Sequence, residues 1–393
     1  MKFSSSLENI PDYPFQRVAR ISRKVTERDG VKVINARIGI PDREAPETVK
    51  KAMAKFLLEE HSTLGYPCDA HPERGIPELI DAIIENYRQK HAVSLKPENI
   101  VVTGWNKEVL FNMVRLFERG TVYVPDPVYP VYEPASLLAN HNVKRVRMAT
   151  DTKWLPEFDF DGDSSGNLVA FYFCDPNNPT GSVADREFYV SLLEKMKAAG
   201  ATGIFDKAYK DYTYDDNTRP ISITQVPGMM DHGFEVVSFS KHYNFVGVGL
   251  GWIVSSEENI SRWLKLSSQY SQGVEWYKQK AGVEALTNPS VREEMQDYRK
   301  ELKERRDTFV RGLRELGLEV AIPGATPYLW IKVPEGYDDE KFVLDVLIDK
   351  AHVALMPGSY FGNNGRGYMR ATLFLSKAEI EEVLGRIEKV KSW

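Results

Sequence analysis

The sequence is poor in cysteine, with Cys68 and Cys174 the only two among its 393 residues. Such a count excludes a disulfide-stapled scaffold and is typical of proteins from a reducing compartment. Residues 1–9 lack the apolar core of a signal peptide. No run approaches the roughly 18 consecutive apolar residues of a membrane span. We therefore expect a cytoplasmic protein that does not insert into a membrane.

The sequence also lacks an excess of positive charge, since 51 basic and 56 acidic residues give a net charge of −5. This balance argues against a partner that is nucleic acid or an anionic membrane. His61 and His71 do not have the spacing of metal ligands, so we expect no metal site. The remaining composition, 42% hydrophobic and 27% charged, is typical of a globular protein of about two domains.

What the sequence does contain is an alternation of strand and helix patterns, which predicts an α/β fold with a mostly parallel sheet and helices on both its faces. The predicted strands are 100–103, 121–124, 143–148, 168–174, 202–205, 235–239 and, returning along the sheet, 251–254. The predicted helical stretches are 15–28, 46–60, 77–91, 106–117, 132–140, 185–199, 256–287 and 289–316.

The last quarter of the chain changes character and predicts a smaller α+β domain. Its predicted strands are 318–321, 328–333, 353–356 and 368–374, and its predicted helices are 339–350 and a last one from 377. We expect residues 1–44 to form an N-terminal arm and part of the small domain. Residues 45–287 form the large domain and residues 288–393 the small C-terminal domain.

One stretch, 236–252, predicts reactive chemistry. An apolar run there ends in hydroxyl residues and Lys241, and a glycine-spaced apolar run follows. Burial at such a strand end disfavours the ammonium ion, lowers the pKa of the lysine and makes its amine a nucleophile able to form a Schiff base. Ser238, three residues earlier, is placed to hold an anion. The alternative is a solvated lysine, the commoner fate of this residue type.

Further polar and aromatic residues follow other predicted strands, where open α/β sheets bind ligands. Trp105, Asn106 and Lys107 open a helix after 100–103, and free amides with the helix dipole favour a phosphate there. The remaining candidates are Tyr129 after 121–124, Asn178 in the rigid turn 175–181, and Asp206 and Tyr209 after 202–205.

Structural roles remain open for several of these residues. Asp206 is equally well explained as a capping residue. Trp105, Tyr129 and Tyr132 are explained as core aromatics, the usual fate of such side chains. Arg370 has a surface acid within reach along the chain, Glu379, and a simple ion pair would account for it.

Together and in this order, the motifs resemble the fold-type I pyridoxal-phosphate (PLP) enzymes, specifically the aspartate aminotransferase superfamily, from Ile34 to Phe374. The motifs that carry the resemblance are Asn177-Asn178-Pro179-Thr180-Gly181, Asp206-x-x-Tyr209, Ser238-x-Ser240-Lys241, and Pro357-Gly358-Ser359-x-Phe361-Gly362 followed by Arg370. The segment from Ser238 to Trp252 looks most like the LL-diaminopimelate aminotransferase branch. The resemblance implies the PLP-dependent transferase fold, with the cofactor bound by residues of the large domain.

The resemblance also implies roles for the candidate residues. Lys241 would form the Schiff base with PLP and move the proton at the substrate Cα. Asp206 would pair with the pyridine nitrogen, and Asn178 and Tyr209 would bind the phenolic oxygen. Tyr129 would stack on the ring. The phosphate would be held by Trp105, Asn106, Lys107 and Ser238, together with Tyr66 of the neighbouring subunit.

Substrate binding is implied by the same resemblance. Arg370 would bind the substrate α-carboxylate, helped by the Gly39 backbone and Asn178. A Tyr66 lent to the neighbouring subunit implies a homodimer with shared active sites. Arg37 stands where the family tends to have a small residue, and contact with the substrate or an outward-facing salt bridge would both explain it.

The sequence departs from the family at one position that matters. The family usually has a phosphate-binding arginine two residues after the first glycine of a Gly-x-Arg-x-Gly-Trp element, and here Gly249 takes that place. We expect the space left by glycine to be empty or filled by water. We therefore predict weaker PLP binding, which Gly249→Arg would strengthen by about 1.5–3 kcal/mol.

Three functions are compatible with the sequence. The first is a PLP-dependent aminotransferase that moves an amino group between an α-amino acid and a 2-oxo acid. The second is a PLP enzyme that does not transaminate, such as a β-lyase, racemase or biosynthetic oxidase, because these share the lysine, aspartate and arginine. The third, a PLP-binding regulator, is disfavoured because the residues before Val33 are too few for a winged helix.

Overall fold

The computed structural model describes residues 5–8, 10, 12–59, 73–160, 167–215 and 218–393. The strands are β1 (Ile34–Asn35), β2 (Ile100–Thr103), β3 (Thr121–Asp126), β4 (Asn142–Arg147), β5 (Leu168–Cys174), β6 (Thr202–Asp206), β7 (Gly233–Ser238), β8 (Gly251–Val254), β9 (Tyr328–Lys332), β10 (Val353–Ala354), β11 (Met356–Pro357) and β12 (Tyr368–Thr372).

The helices are α1 (Ser5–Glu8), α2 (Pro14–Asp29), α3 (Glu47–Glu59), α4 (Pro77–His91), α5 (Asn106–Met113), α6 (Tyr132–Leu138), α7 (Arg186–Ala199), α8 (Phe239–His242), α9 (Glu257–Ser267), α10 (Trp276–Thr287), α11 (Pro289–Glu315), α12 (Asp339–Lys341) and α13 (Lys377–Val390). After α12 the chain continues as a π-helix over Phe342–Ile348. None of the described helices combines the length and the apolar character that a membrane crossing requires.

The central sheet has seven strands among the described residues, in the order β2-β8-β7-β6-β5-β3-β4. Only β8 runs antiparallel to its neighbours, β2 and β7. The predicted return of 251–254 along the sheet is therefore confirmed. Because β2, β3, β5, β6 and β7 share one direction, their carboxyl ends meet at one edge of the sheet.

Both faces of this sheet are covered, as the nearly continuous apolar strands predict. Along β5, Ala170 and Tyr172 pack into the cluster that contains α5 and α6 side chains. Their neighbours Phe171 and Phe173 point to the opposite face and pack with α7 side chains. The predicted α/β class, with a mostly parallel sheet between helices, is confirmed.

The last quarter of the chain forms a separate antiparallel sheet in the order β11-β12-β9. β1 pairs with β10 in parallel and so joins the N-terminal arm to this part of the fold. This sheet lies beside the carboxyl edge of the large one, because Arg370 of β12 reaches Asn178 in the turn after β5.

Several sequence predictions were wrong in detail. The predicted strand 353–356 is divided between β10 and β11, which belong to different sheets, and the predicted helix 339–350 continues after α12 as the π-helix. The predicted helical stretch 256–287 is two helices, α9 and α10, because the intervening segment contains serines and Gly273, which has a φ of +88°. The predicted strand 318–321 makes a single bridge, from Val320 to Ile331. Beyond it the chain turns away, and the carbonyl of Gly324 accepts a hydrogen bond from the Tyr214 backbone.

Candidate active site

Lys241 lies in the short helix α8, directly after the buried strand β7. Its Nζ donates a hydrogen bond to the carbonyl oxygen of Gly39 at 2.5 Å. Burial, reinforced by the positive charge of Arg370, lowers the pKa of Lys241 to about 8. The amine therefore reaches its neutral, nucleophilic form close to physiological pH. Lys241 is half-buried and hydrogen-bonded, which argues against the fully solvated lysine considered above.

Ser238 ends β7 and caps helix α8. Its Oγ accepts a hydrogen bond from the backbone N–H of Ser240 at 3.1 Å. Ser238 is buried and stands three residues before Lys241, at the carboxyl end of β7. Its role in holding an anion stays a prediction.

Asp206 is the buried carboxylate at the end of β6, 4% exposed. The Tyr132 hydroxyl donates to its Oδ2 at 2.7 Å, and the Ala208 N–H donates to its Oδ1 at 3.0 Å. Burial raises the pKa of Asp206, and these two donors oppose that rise. Tyr132, whose ring stacks on Tyr172 at 4.3 Å, is thus more than a core aromatic, because it fixes the orientation of the carboxylate.

Arg370 is almost completely buried, 1% exposed, yet it has no acidic partner among the described residues. Its Nη1 donates to Asn178 Oδ1 and its Nη2 to the Arg37 carbonyl, both at 2.6 Å. Its Nε has no hydrogen-bond partner in the part of the chain that the structure describes. The alternative of an ion pair with Glu379 is wrong, since that carboxylate caps α13 by accepting from Ser376.

Tyr328, which no sequence motif indicated, contacts both Tyr209 and Gly39. The Tyr209 and Tyr328 hydroxyls are 2.9 Å apart. A Cβ at Gly39 would lie 1.8 Å from the Tyr328 hydroxyl oxygen, so only glycine fits there. Tyr328 lies in β9, where a buried aromatic carries no local signal of a site. Tertiary structure alone reveals it.

The start of helix α5 presents polar groups that lack partners. The hydroxyl of Thr103 and both side-chain amide atoms of Asn106 are buried without a hydrogen bond among the described residues. Both side chains converge on Gly251, since a Cβ built there would lie 3.3 Å from Thr103 Oγ1 and 2.6 Å from Asn106 Oδ1. Unsatisfied buried polar groups at a helix N-terminus are suited to an anion.

Tyr13, directly before helix α2, also lies near the start of α5, and no sequence motif predicted this. The Tyr13 hydroxyl is 3.3 Å from that of Tyr129. Lys107 Nζ lies 4.2 Å from the centre of the Tyr13 ring. Tyr129 and Lys107, both predicted cofactor residues, are therefore brought together by Tyr13.

The expectation of empty space at Gly249 is wrong. A Cβ built at Gly249 would lie 2.4–2.6 Å from three atoms of the Trp105 indole, and Gly249 has a φ of +69°. The Trp105 ring therefore occupies the space beside this glycine. The reason is steric, because only a residue without a side chain lets the indole lie this close to the backbone.

Arg37 is buried, 8% exposed, and its Nη1 donates to the Phe15 carbonyl at 3.4 Å. It has no acidic partner in the described part of the chain, so the alternative of an outward-facing salt bridge is wrong. Burial and the nearby charge of Arg370 lower its pKa. Tyr66, the remaining predicted site residue, lies outside the described residues.

The donor set fits PLP. Asn106 and Thr103 offer unpartnered groups for a phosphate, Asp206 offers a carboxylate for a pyridine nitrogen, and Lys241 offers an amine for an aldehyde. None of these groups uses the charge of Arg370, so its guanidinium is available to bind the carboxylate of a substrate.

Comparison with known proteins places the chain in a family. Residues 31–387 match the model of the family "Aminotransferase class I and II". The chain is 32% identical to the LL-diaminopimelate aminotransferase of Moorella thermoacetica and 31% identical to LL-diaminopimelate aminotransferase 2 of Nostoc sp., each over 99% of this chain and 98% of the relative. The solved aspartate aminotransferase of Thermotoga maritima is 29% identical, with a TM-score of 0.88 over 98% of this chain and 99% of that one.

These relatives are named for transamination and not for the lyase, racemase or oxidase chemistry of the alternative. Their similarity extends over nearly the whole length of the chain. The chain therefore belongs to the class I and II aminotransferase family, whose members use PLP to move an amino group between an α-amino acid and a 2-oxo acid.

Proposed function

We propose that Lys241 carries PLP in this aminotransferase and that Asp206, Tyr209 and Arg370 complete the reaction site. The observation that carries the proposal is the environment of Lys241. Its amine has a pKa of about 8 and lies at the carboxyl edge of the sheet between a buried carboxylate and a buried, unpaired guanidinium. When bound, PLP supplies an electron sink for the bond that is broken at the substrate Cα.

The protein groups have separate tasks in this proposal. Asp206, held by Tyr132, keeps a negative charge against the pyridine nitrogen. Asn178 and Tyr209 would donate to the phenolic oxygen of the cofactor. Arg370 and the Gly39 backbone orient the α-carboxylate, so that the Cα–H bond faces Lys241. Once the substrate's amino group has replaced Lys241 on the cofactor, the freed Nζ would take the proton from Cα as a general base, which its lowered pKa favours near neutral pH.

Cofactor attachment is tested by reduction and mapping. The wild-type protein incubated with PLP and reduced with borohydride should carry the label on Lys241, and Lys241→Ala should carry none. Lys195→Ala is the matched control, because Lys195 donates to the Phe158 carbonyl on the other side of the fold. This variant should carry the label on Lys241, as the wild type does. A stable label on another lysine in Lys241→Ala would contradict the assignment.

Transamination is tested by the absorbance of the bound cofactor. An amino acid should abolish the yellow absorbance, and a 2-oxo acid should restore it. We propose LL-diaminopimelate as the first donor to test, because the curated relatives are named for it. Acidic, aromatic and small neutral amino acids, with 2-oxoglutarate and pyruvate as acceptors, form the comparison set. Turnover of one of those donors alone would overturn the choice of LL-diaminopimelate but not the reaction.

We also propose a homodimer in which Tyr66 completes the site of the partner subunit. Trp105 and Tyr270 support it, because these large aromatics are 39% and 48% exposed. Both line a cavity of about 690 Å³ that Gly104 and Gly249 also line, beside the proposed phosphate site. Exposed aromatic side chains such as these two are enriched at protein interfaces.

The dimer is tested by mixing inactive subunits. Tyr66→Phe and Lys241→Ala subunits, mixed and refolded together, should form hybrids in which one site has both native residues. Activity should then return to about a quarter of the wild-type value at random pairing. A monomer in sedimentation, or no recovery in hybrids that do form, would contradict the shared site.

We retain the division into 1–44, 45–287 and 288–393 as a proposal. It is supported by the strands, since those of the central sheet fall within 45–287 and the β11-β12-β9 sheet falls after 288. The pairing of β1 with β10 supports assigning the arm to the small domain. The cytoplasmic location also remains a proposal, supported by the buried free thiol of Cys174.

A further inference from the structure

We propose that Tyr328 is a positioning residue that couples the carboxylate-binding Arg370 to Tyr209 on the cofactor side of the site. The inference rests on the proposed function of Arg370 and Tyr209. It concerns a residue that neither the sequence motifs nor those proposed roles include.

Tyr328 contacts both ends of the proposed relay. The Arg370 guanidinium carbon lies 4.0 Å from the centre of the Tyr328 ring, and the Tyr328 hydroxyl lies 2.9 Å from that of Tyr209. The ring is buried, 2% exposed. β9 and β12 pair directly, so the backbone fixes the position of Tyr328 relative to Arg370.

The same hydroxyl also packs against the loop that holds Lys241. It occupies the space where a Cβ at Gly39 would be, and the Gly39 carbonyl accepts the hydrogen bond from Lys241. One oxygen atom therefore touches Tyr209 and the Gly39 loop, while its ring lies under Arg370. A side chain that only filled space would not need this hydroxyl.

The hydrogen bonds must run in one direction. A phenol has a single proton to donate. If Tyr209 donates its proton to the phenolic oxygen of PLP, the bond between Tyr209 and Tyr328 is donated by Tyr328. Each donor in such a chain strengthens the next, so Tyr328 makes Tyr209 a better donor to the cofactor.

The charge of Arg370 controls this donor. Burial raises the pKa of Tyr328, and the nearby guanidinium counters that rise, which keeps the hydroxyl a good donor. A carboxylate bound to Arg370 neutralises the guanidinium and weakens the effect. Occupation of the substrate site is thereby transmitted to Tyr209 and to the oxygen that Tyr209 binds.

The test is the pH titration of the absorbance of the PLP-loaded protein, compared between wild type and Tyr328→Phe. Tyr209 would stabilise the negative charge on the phenolic oxygen of PLP. The proton on the Lys241 linkage also compensates this charge, so the oxygen depends most on Tyr209 after that proton has been lost. Loss of the supporting donor should therefore raise the titration midpoint by roughly 0.4–1 pH unit, the equivalent of one neutral hydrogen bond. Glutarate, a carboxylate without an amino group, should raise the midpoint of the wild type and have a smaller effect on Tyr328→Phe.

Tyr214→Phe is the matched control. Tyr214 is a buried tyrosine whose hydroxyl donates to the Thr326 carbonyl at 3.0 Å, two residues before Tyr328. Its loss should leave the midpoint unchanged. Thermal unfolding of both variants shows whether they fold, and the conservative change to phenylalanine keeps the ring under Arg370.

A double-mutant cycle identifies the route. If Tyr328 acts through Tyr209, the variant Tyr209→Phe and the double variant Tyr209→Phe/Tyr328→Phe should have the same midpoint. Additive shifts, equal shifts in Tyr214→Phe and Tyr328→Phe, or a wild-type midpoint in a folded Tyr328→Phe would each overturn the inference. A wild-type protein that forms no reducible PLP linkage would instead contradict the proposed function.

Discussion

Two buried polar clusters lie at the same edge of the sheet and differ in how their charges are matched. In the first, Lys207 Nζ and Asp175 Oδ2 are 2.7 Å apart, each side chain is 1% exposed, and the Tyr189 hydroxyl donates to the same carboxylate oxygen. The other oxygen of Asp175 accepts from the Ala184 N–H. Every charge in this cluster has a partner, and nothing is left for a ligand.

The second cluster is the candidate active site, where cations outnumber carboxylates. Among the described residues, Asp206 alone opposes the charges of Arg370, Arg37 and Lys241, and both guanidinium Nε atoms lack hydrogen-bond partners. Burying an unmatched charge is costly. A cluster with unmatched buried charge is accounted for if it binds a ligand of opposite charge. A matched pair such as Lys207 and Asp175 needs no ligand, because each charge already has its partner in the fold.

The largest effect is expected from breaking the matched cluster. Lys207→Met leaves the Asp175 carboxylate buried and unpaired, which should lower the free energy of unfolding by about 3–5 kcal/mol. Urea unfolding of the cofactor-free protein measures it. The double variant Lys207→Met/Asp175→Asn removes both charges and should recover most of the loss. A single variant as stable as wild type would remove the distinction between the two clusters.

The next largest effect is the pH dependence of the free energy of unfolding that Lys241, in the unmatched cluster, contributes. The pKa of Lys241 is about 8 in the folded protein and 10.5 ordinarily, so the unfolded chain binds more protons between these values. The resulting destabilisation is fully present below about pH 8 and is relieved as the pH rises toward 10.5.

Urea unfolding of cofactor-free wild type and Lys241→Met across this range isolates the contribution. Wild type should gain stability relative to the variant with rising pH, by an amount on the order of 3 kcal/mol. A difference that does not depend on pH would show that Lys241 is not held in a destabilising environment.

Arg370→Met should affect binding rather than folding. It removes an unpaired buried cation, so the free energy of unfolding should stay level or rise. It would also remove the proposed bidentate contact to the α-carboxylate, worth about 1.5–3 kcal/mol, so the KM for the amino acid should rise roughly 10- to 100-fold. PLP affinity is the control and should be retained. A large loss of stability with an unchanged KM would assign Arg370 to the fold.

The two clusters also differ in how far sequence could predict them. Lys241, Asp206 and Arg370 stand in motifs with fixed spacing, and the apolar runs before them set the strands that bring them together. Lys207 and Asp175 belong to the same segments, yet no pattern shows that their side chains meet each other beside Tyr189 of α7. Pairing of that kind depends on the register of β5 and β6.

The aromatic residues of the site were the least predictable. Tyr13 and Tyr328 are 315 residues apart in the chain and reach the site from an arm and from the second sheet. A tyrosine in a buried strand has the same local pattern whether it fills the core or orients a neighbour. The role of Tyr132 was missed for this reason, and so was the contact of Trp105 with Gly249.

The smallest effect is expected at Gly249, which stands where the family usually has a phosphate-binding arginine. The Trp105 indole lies in the space beside this glycine. Gly249→Ala combines a side chain at a φ of +69° with a collision against the Trp105 indole, so we expect a loss of about 1–2 kcal/mol of stability. Gly247→Ala is the matched control, because a Cβ there meets no atom of the described residues within 4 Å. Gly249→Arg should weaken PLP binding, since its side chain can enter only by displacing Trp105. Tighter binding of PLP to Gly249→Arg, measured by titrating the cofactor-free protein, would show that the indole yields and that the neutral groups of Thr103 and Asn106 are a poor substitute for the charge.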